Sequence, residues 1–248
     1  MLLLASGRGG GKQPGEFRQS QNWIGGTRPG NARYVPPPPD AIPDSMCALE
    51  KFIHDDATGL PVLIKAALVH VQFESIHPFL DGNGRLGRLL ITFLLCAEKV
   101  FKAPTLYLSL YFKTHRDIYY DLLQRVRDQG DWEGWIKFFL EGVRETADGA
   151  VHAARAILDL FEADRQTIET LGRPAASALR VHYCLQSKPI LSVPVAAKAL
   201  GMTAPTVRSS VEHLEALNIV REVTGKKRGK VFAYRKYLDI LQQGTEPL

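Results

Sequence analysis

Apolar positions along this chain recur mainly at helical spacing, and they predict a protein built largely of helices. Pro43 to His54 reads as one helix, with proline at its start and Asp44 and Glu50 placed to favour the early dipole. A second runs from about Leu60 to Glu74, where Leu63, Ala67, Val71 and Phe73 or Glu74 set a mostly apolar face. Residues 84–99, with the run LGRLLITFLLCAEK, are apolar enough to predict the buried centre of an all-α domain. Further helices are predicted at 105–112, 114–129, 131–146 and 148–171, the last carrying Ile157, Leu160, Phe161, Ile168 and Leu171 along one side. MLLL, followed by the glycine-rich ASGRGGGKQPGE, reads as the tail of a helix breaking into a loop, so the chain starts as if inside an element.

Gly172-Arg173-Pro174 interrupts this pattern and predicts a boundary between domains at 1–172 and 173–248. Beyond it, ALRVHYCLQ, VPVAAKALG, TAPTVRSSVEHLEALNIV and REVTGKKRGKVFAY predict a helix, a helix–turn–helix and a hairpin. That order is similar to a winged helix-turn-helix domain. Gly201 would supply the turn, Thr203 would cap the next helix, and Thr206, Arg208 and Ser209 would lie toward its outer face. GKKRGK, Gly225 to Lys230, concentrates four positive residues in six and would be a wing able to touch DNA phosphates, although winged helices also pack against other domains or dimerise.

Composition narrows the class. At 248 residues, 45% hydrophobic and 23% charged, the chain is long enough to bury a real core and ordinary for a globular protein. Its +5 formal charge tolerates acidic partners without demanding them. Cys47, Cys96 and Cys184 are odd in number and far apart, which fits a reducing, cytoplasmic compartment better than a disulfide framework. No apolar run approaches the roughly 18 residues needed to span a bilayer, and MLLLASGRGG lacks the form of a signal peptide. His54, His70 and His115 have no metal-type spacing, and a structural or solvated role is expected of each.

The chemistry concentrates in HPFLDGNGRLGR, His77 to Arg88. A glycine-rich entry to a helix N-terminus offers backbone N–H groups to an anion. Gly82 and Gly84 are suited to φ > 0 and to close approach of a phosphate. Arg85 and Arg88, three apart, share a helix face and reach one phosphate chain. Asp81 is a hard oxygen ligand suited to magnesium. His77, outside the nest, is placed to take a proton from an incoming hydroxyl. These residue types together read as a triphosphate site.

The string resembles the signature of the Fic (Fido-fold) family, HPFx[D/E]GNGRxxR, at all its fixed positions. The resemblance implies an all-α Fic/Fido helical domain with a small β-hairpin flap, and transfer of AMP from ATP to a Ser, Thr or Tyr hydroxyl of a target protein. His77 would be the general base and Asp81 the ligand of Mg²⁺. The nest of Gly82, Asn83, Gly84, Arg85, Leu86, Gly87 and Arg88 would hold the phosphates, with Asn83 on the α and β groups and the arginines on β and γ. Relatives that phosphorylate usually carry Lys where this chain has Gly84, which favours adenylyl transfer. Residues 14–39 resemble the family's flap, which docks the target by main-chain pairing. Ile24, Gly25, Gly26 and Thr27 would lie nearest the nucleotide, and Pro36 to Pro39 would form a stiff spacer. Tyr107, Tyr111, Phe112, Tyr119 and Tyr120 fall near helical spacing. Tyr119 and Tyr120 stand where the family often contacts adenine.

Many relatives are silenced by a helix bearing [S/T]xxxE[G/N]. That pattern is absent here, since Glu133-Gly134 and Glu141-Gly142 follow Gln129 and Lys137 at the needed offset. An uninhibited enzyme is expected, or one whose inhibitor lies in a missing segment or in another polypeptide, and homodimers are common in the family. A different class of reading is a DNA-binding regulator that uses the Fic domain as a nucleotide sensor. Another is transfer of UMP, GMP or phosphocholine, because the nest reads phosphates rather than the base.

Overall fold

The computed structural model describes residues 15–55, 57, 59–100, 108–226 and 228–242. Tyr107, the MLLL segment and Pro14 lie outside them. The chain divides into two compact units, Met1–Ala147 and Asp148–Leu248.

In the first unit the other helices are laid on α2 (Val62–Ile76), in which Lys65, Ala66, Ala67, Val69, His70, Val71, Phe73, Glu74 and Ile76 are all buried. One side of α2 meets α1 (Ile42–Ile53) through Ile42, Leu49, Val69, Phe73 and Ile76. The opposite side presents Ala66, Ala67 and Val71 to Ile91, Leu94 and Leu95 of α3 (Asn83–Ala97). The small Ala66 and Ala67 let α3 approach closely on that side, and the centre of the unit is α2 rather than α3. On α3, Phe93 remains 60% exposed.

The same core takes in Leu108, Tyr111 and Phe112 of α4 (Leu108–Thr114), then Tyr119, Leu122, Leu123 and Val126 of α5 (Arg116–Gln129). Trp135, Phe138 and Phe139 from the start of α6 (Trp132–Glu169) complete it. Each fully buried aromatic ring contributes roughly 1.5–3 kcal/mol. Trp135 also donates its indole N–H to Ala67 O at 2.9 Å, satisfying its one polar atom.

The expected helices at 131–146 and 148–171 are one continuous 38-residue helix, α6. Gly149 lies within it, at a cost of roughly 1 kcal/mol relative to alanine that does not end a long amphipathic helix. Accordingly the second unit begins inside α6 and not at Gly172. Leu160, Phe161, Ile168 and Leu171 pack there with Val181 and Leu185 of α7 (Ala175–Ser187). Apolar contact, rather than the Gly-Arg-Pro break, sets the division.

The second unit continues with β1 (Ile190–Ser192), α8 (Val193–Leu200), α9 (Ala204–Ala216), β2 (Arg221–Glu222), β3 (Val231–Ala233) and α10 (Arg235–Gln242). The strands form an antiparallel sheet in the order β1-β3-β2, with Leu191 opposite Phe232 and Arg221 opposite Ala233. Strand β1 and helix α10 were not anticipated. Gly201 ends α8 at φ 61°, and Thr203 accepts the Thr206 N–H at the start of α9. Buried Tyr234 donates to Asp164 Oδ2 at 2.5 Å and lies 3.3 Å from His182 Nε2. No helix among the described residues is long and apolar enough to cross a membrane.

Candidate active site

Helix α2 ends at His77, which caps it in the left-handed conformation at φ 49°, ψ 58° and donates its N–H to Phe73 O at 3.0 Å. A non-glycine residue there is strained, and it persists only where its surroundings over-determine it. Arg18, only 2% exposed, supplies part of that constraint. Its Nε donates to His77 O at 3.0 Å and its main-chain N–H to Pro78 O at 2.9 Å. Its remaining guanidinium nitrogens reach Ser20 O and Pro37 O.

His77 Nδ1 is buried without a hydrogen-bond partner. Burial lowers the imidazole to about 4, opposed by the main chain of Glu74 and by Asp81 and helped by the guanidiniums of Arg127 and Arg18. The ring is therefore neutral at pH 7, the state a general base needs.

The turn between α2 and α3 is held by Asn83, 2% exposed. Its Oδ1 accepts from Phe79 N–H at 2.9 Å and its Nδ2 donates to Phe79 O at 2.7 Å. The carboxamide thus shapes the loop through Oδ1 and one of its two N–H groups. Gly82 takes φ 85° as expected, but Gly84 is an ordinary helical residue of α3. A Cβ on Gly84 would lie 3.2 Å from Arg88 Nη1, so the missing side chain makes room for an arginine folded back by one turn.

Leu86 and Gly87 do not line the nest. Leu86 packs against the Ile42, Leu49 and Phe73 cluster. A Cβ on Gly87 would stand 2.5 Å from Glu74 Oε1 and 3.2 Å from Phe73 Cδ1, so Gly87 serves the close approach of α3 to α2. Arg85 is exposed on the first turn of α3. Asp81 is half-exposed and its Oδ1 accepts the Gly82 N–H at 2.6 Å. The described residues contain no cluster of three or more His, Cys, Asp or Glu able to hold a metal. A single carboxylate of this kind fits magnesium, which is commonly held by one or two carboxylates together with substrate phosphates.

The flap is a bend closed by one bridge, Ile24 with Tyr34, rather than a regular hairpin. Gly25 and Gly26 take φ 70° and 69°, and a Cβ on Gly26 would lie 2.3 Å from Asn31 O. The Thr27 and Arg28 N–H groups donate to Asn31 Oδ1, each at 2.9 Å. Flap and motif are joined by Asn22 Nδ2 donating to Phe79 O at 3.2 Å and by Phe17 against Phe79, ring centroids 5.7 Å apart.

Tyr119 cannot contact adenine. It is 3% exposed, stacked on Phe112, with its hydroxyl 2.9 Å from His70 Nε2. Tyr120, 36% exposed with Arg116 over its ring, remains accessible.

Sequence reasoning missed Arg18, Tyr34, Glu74 and Arg127. Glu74 is 6% exposed and its Oε1 has no hydrogen-bond partner. Burial raises its carboxyl to about 7, against the pull of Arg88 and Arg127. The available signal was a carboxylate four residues after His70 in an otherwise apolar helix.

Residues 3–95 match the model of the Fic/DOC family. The protein adenylyltransferase Fic of Aedes aegypti is 36% identical over 135 residues, 54% of this chain and 24% of that protein. The protein of the same name from Drosophila persimilis is 29% identical over 177 residues, 71% of this chain and 32% of that one. The chain thus spans about a quarter to a third of the length of these relatives. The crystal structure of a Fic family protein from Desulfovibrio desulfuricans G20 is similar in fold, with a TM-score of 0.50 and 22% identity over 88% of this chain and 62% of that one. The matched residues 3–95 enclose the whole His77–Arg88 motif, so the likeness to the Fic/DOC family covers the candidate site.

Proposed function

We propose that this protein transfers AMP from ATP to a hydroxyl of a target protein. The observation that carries the reading is a half-buried histidine, its imidazole held neutral, in a left-handed turn five residues before a glycine-capped helix N-terminus. The first-turn N–H groups of α3 lack helical partners and suit an anion. Arg85 and Arg88 lie on the same side of that helix to receive the phosphate chain. Asp81 would hold magnesium together with the phosphates, and the metal when bound would neutralise phosphate charge.

The acceptor oxygen bonds to the α-phosphorus as the bond from that phosphorus to the bridging oxygen breaks. The acceptor proton passes to the His77 imidazole, and pyrophosphate leaves. Negative charge spreads over phosphate oxygens in the transition state, where the arginines and backbone donors stabilise it. The flap edge at Ile24 to Thr27 supports main-chain docking of the acceptor segment. Tyr120 is the aromatic available to stack on the base. Intact-mass analysis after incubation with magnesium and ATP tests the reading: added AMP on a protein supports it, and added phosphate contradicts it.

The second unit supports a winged-helix reading through its order of helix, strand, two helices and a two-stranded return. Thr206, Arg208 and Ser209 on α9 are exposed, as are Lys226, Arg228 and Lys230 in the β2–β3 loop. A basic wing beside an exposed helix face suits duplex DNA. Anisotropy of a labelled duplex should then weaken steeply between about 50 and 200 mM salt; no binding at the lower salt would assign this surface elsewhere.

A further inference from the structure

Arg127 of α5 lies fifty residues after His77, yet its side chain is built into the end of α2. Its Nη2 donates to Glu74 O and its Nε to Ser75 Oγ, both at 3.2 Å. The face of the same guanidinium covers the Tyr34 ring, 3.8 Å from Cζ to centroid. Tyr34 is the flap residue bridged to Ile24, and its hydroxyl donates to Ser75 O at 2.9 Å. One planar group thus caps the last turn before His77 and carries the flap on its face. A planar fork that both hydrogen-bonds and stacks is a role that lysine cannot fill.

We propose that Arg127 is a positioning residue that couples the flap to the His77 turn, so that the docked acceptor and the base keep one register. The inference rests on the adenylyl-transfer reading for its activity test. The φ of 49° at His77 shows why the constraint is needed: a strained turn relaxes when its supports are removed. Arg18 holds the turn from its far side at His77 O and Pro78 O, and Arg127 holds it at Glu74 and Ser75. The charged groups facing the His77 ring are then Arg18 beside the flap, Arg127 from α5 and Asp81 from the loop.

The test compares the parent chain with Arg127→Gln and Arg127→Lys. Three quantities are read: ATP·Mg²⁺ affinity by calorimetry, the rate of self-labelling from α-labelled ATP, and the His77 ring titration by nitrogen NMR. The account predicts that both variants bind ATP within about twofold of the parent but label about 100-fold more slowly, as expected of a base displaced by about 1 Å. The ring should titrate higher in Arg127→Gln and stay near the parent value in Arg127→Lys, which keeps the charge and loses the fork. Tyr34→Ala combined with Arg127→Gln should cost no more in rate than the costlier single change, because both break one coupling. Parent-like labelling in both variants overturns the proposal, and so does a loss of ATP binding in step with rate, which marks a merely structural residue. If the parent itself does not label, adenylyl transfer is what fails, and the ring titration alone then decides the role of Arg127.

Discussion

Asn83 closes the motif loop by matching both polar groups of its carboxamide to the main chain of Phe79, at 2.9 and 2.7 Å. Phe79 N–H donates to this side chain, whereas Phe79 O is shared with Asn22 Nδ2. Asn83→Ala should therefore cost about 1–3 kcal/mol, chiefly from the unsatisfied Phe79 N–H. Denaturant unfolding measures the loss. Asn83→Asp keeps the acceptor and loses the donor, and should fall between the two. Equal stability of all three chains would mean that the loop is held by other contacts.

Acid dependence of the rate reports on His77. Its ordinary value is 6.5, and burial takes it to about 4. A base that works only when neutral then stays competent until the pH falls to that value. The rate of transfer should be level from about pH 8 to about pH 5 and fall near pH 4. A fall centred near 6.5 would mean that the ring is more solvated than its position between Arg18 and Arg127 allows.

Glu74 acts on stability with the opposite sign. Its carboxyl moves from 4.5 to about 7 on folding, through burial. Between those values the folded chain holds a proton that the unfolded chain has released, so this group costs stability as pH rises through the window. The cost approaches roughly 3 kcal/mol above pH 7, at about 1.36 kcal/mol per pH unit. Glu74→Gln removes it. Relative to the parent, the variant should be near neutral at pH 4.5 and stabilised at pH 8, as read by unfolding at both. A variant destabilised at pH 8 would show that the carboxylate is held by Arg88 and Arg127 more strongly than burial opposes it. His70 and His77, both lowered to about 4, lose stability in the other direction as pH falls below 6.5, so the comparison must be variant against parent.

Two glycines in one motif should respond differently to alanine. At Gly87 a Cβ meets Glu74 Oε1 at 2.5 Å and Phe73 Cδ1 at 3.2 Å across the α2–α3 packing. Overpacking there should cost about 1–3 kcal/mol of stability. At Gly84 the nearest atom is Arg88 Nη1, 3.2 Å away at the end of a flexible chain. Gly84→Ala should leave stability unchanged or slightly raised while displacing Arg88 and weakening ATP binding. Thermal unfolding and calorimetry separate the two, and matching effects at both positions would contradict the assignment.

The helical character of the first unit was legible because its apolar spacing is strong: α1, α2, α3 and α5 fall within a few residues of where periodicity puts them. The division of the chain was not, because Gly172-Arg173-Pro174 is a local signal. The division follows instead from tertiary contact of Leu160, Phe161 and Ile168 with α7. The short strand β1 gave no periodic signal over three residues.

Within the site, His77 and Asp81 could be read from residue type, whereas the turning of Leu86 and Gly87 toward the core depends on which face of α3 meets α2. The same holds for Tyr119 and Tyr120, adjacent in sequence and opposite in exposure. Arg18 and Arg127 were invisible, because nothing local distinguishes an arginine built into the fold from a solvated one.

The central claim is tested most directly by incubating the purified chain and its His77→Ala variant with magnesium and ATP labelled at either the α- or the γ-phosphate. The account predicts protein-bound label from α-labelled ATP with the parent only, none from γ-labelled ATP, and ATP binding retained by the variant. Label from γ-labelled ATP, or equal α-labelling of both chains, would contradict it.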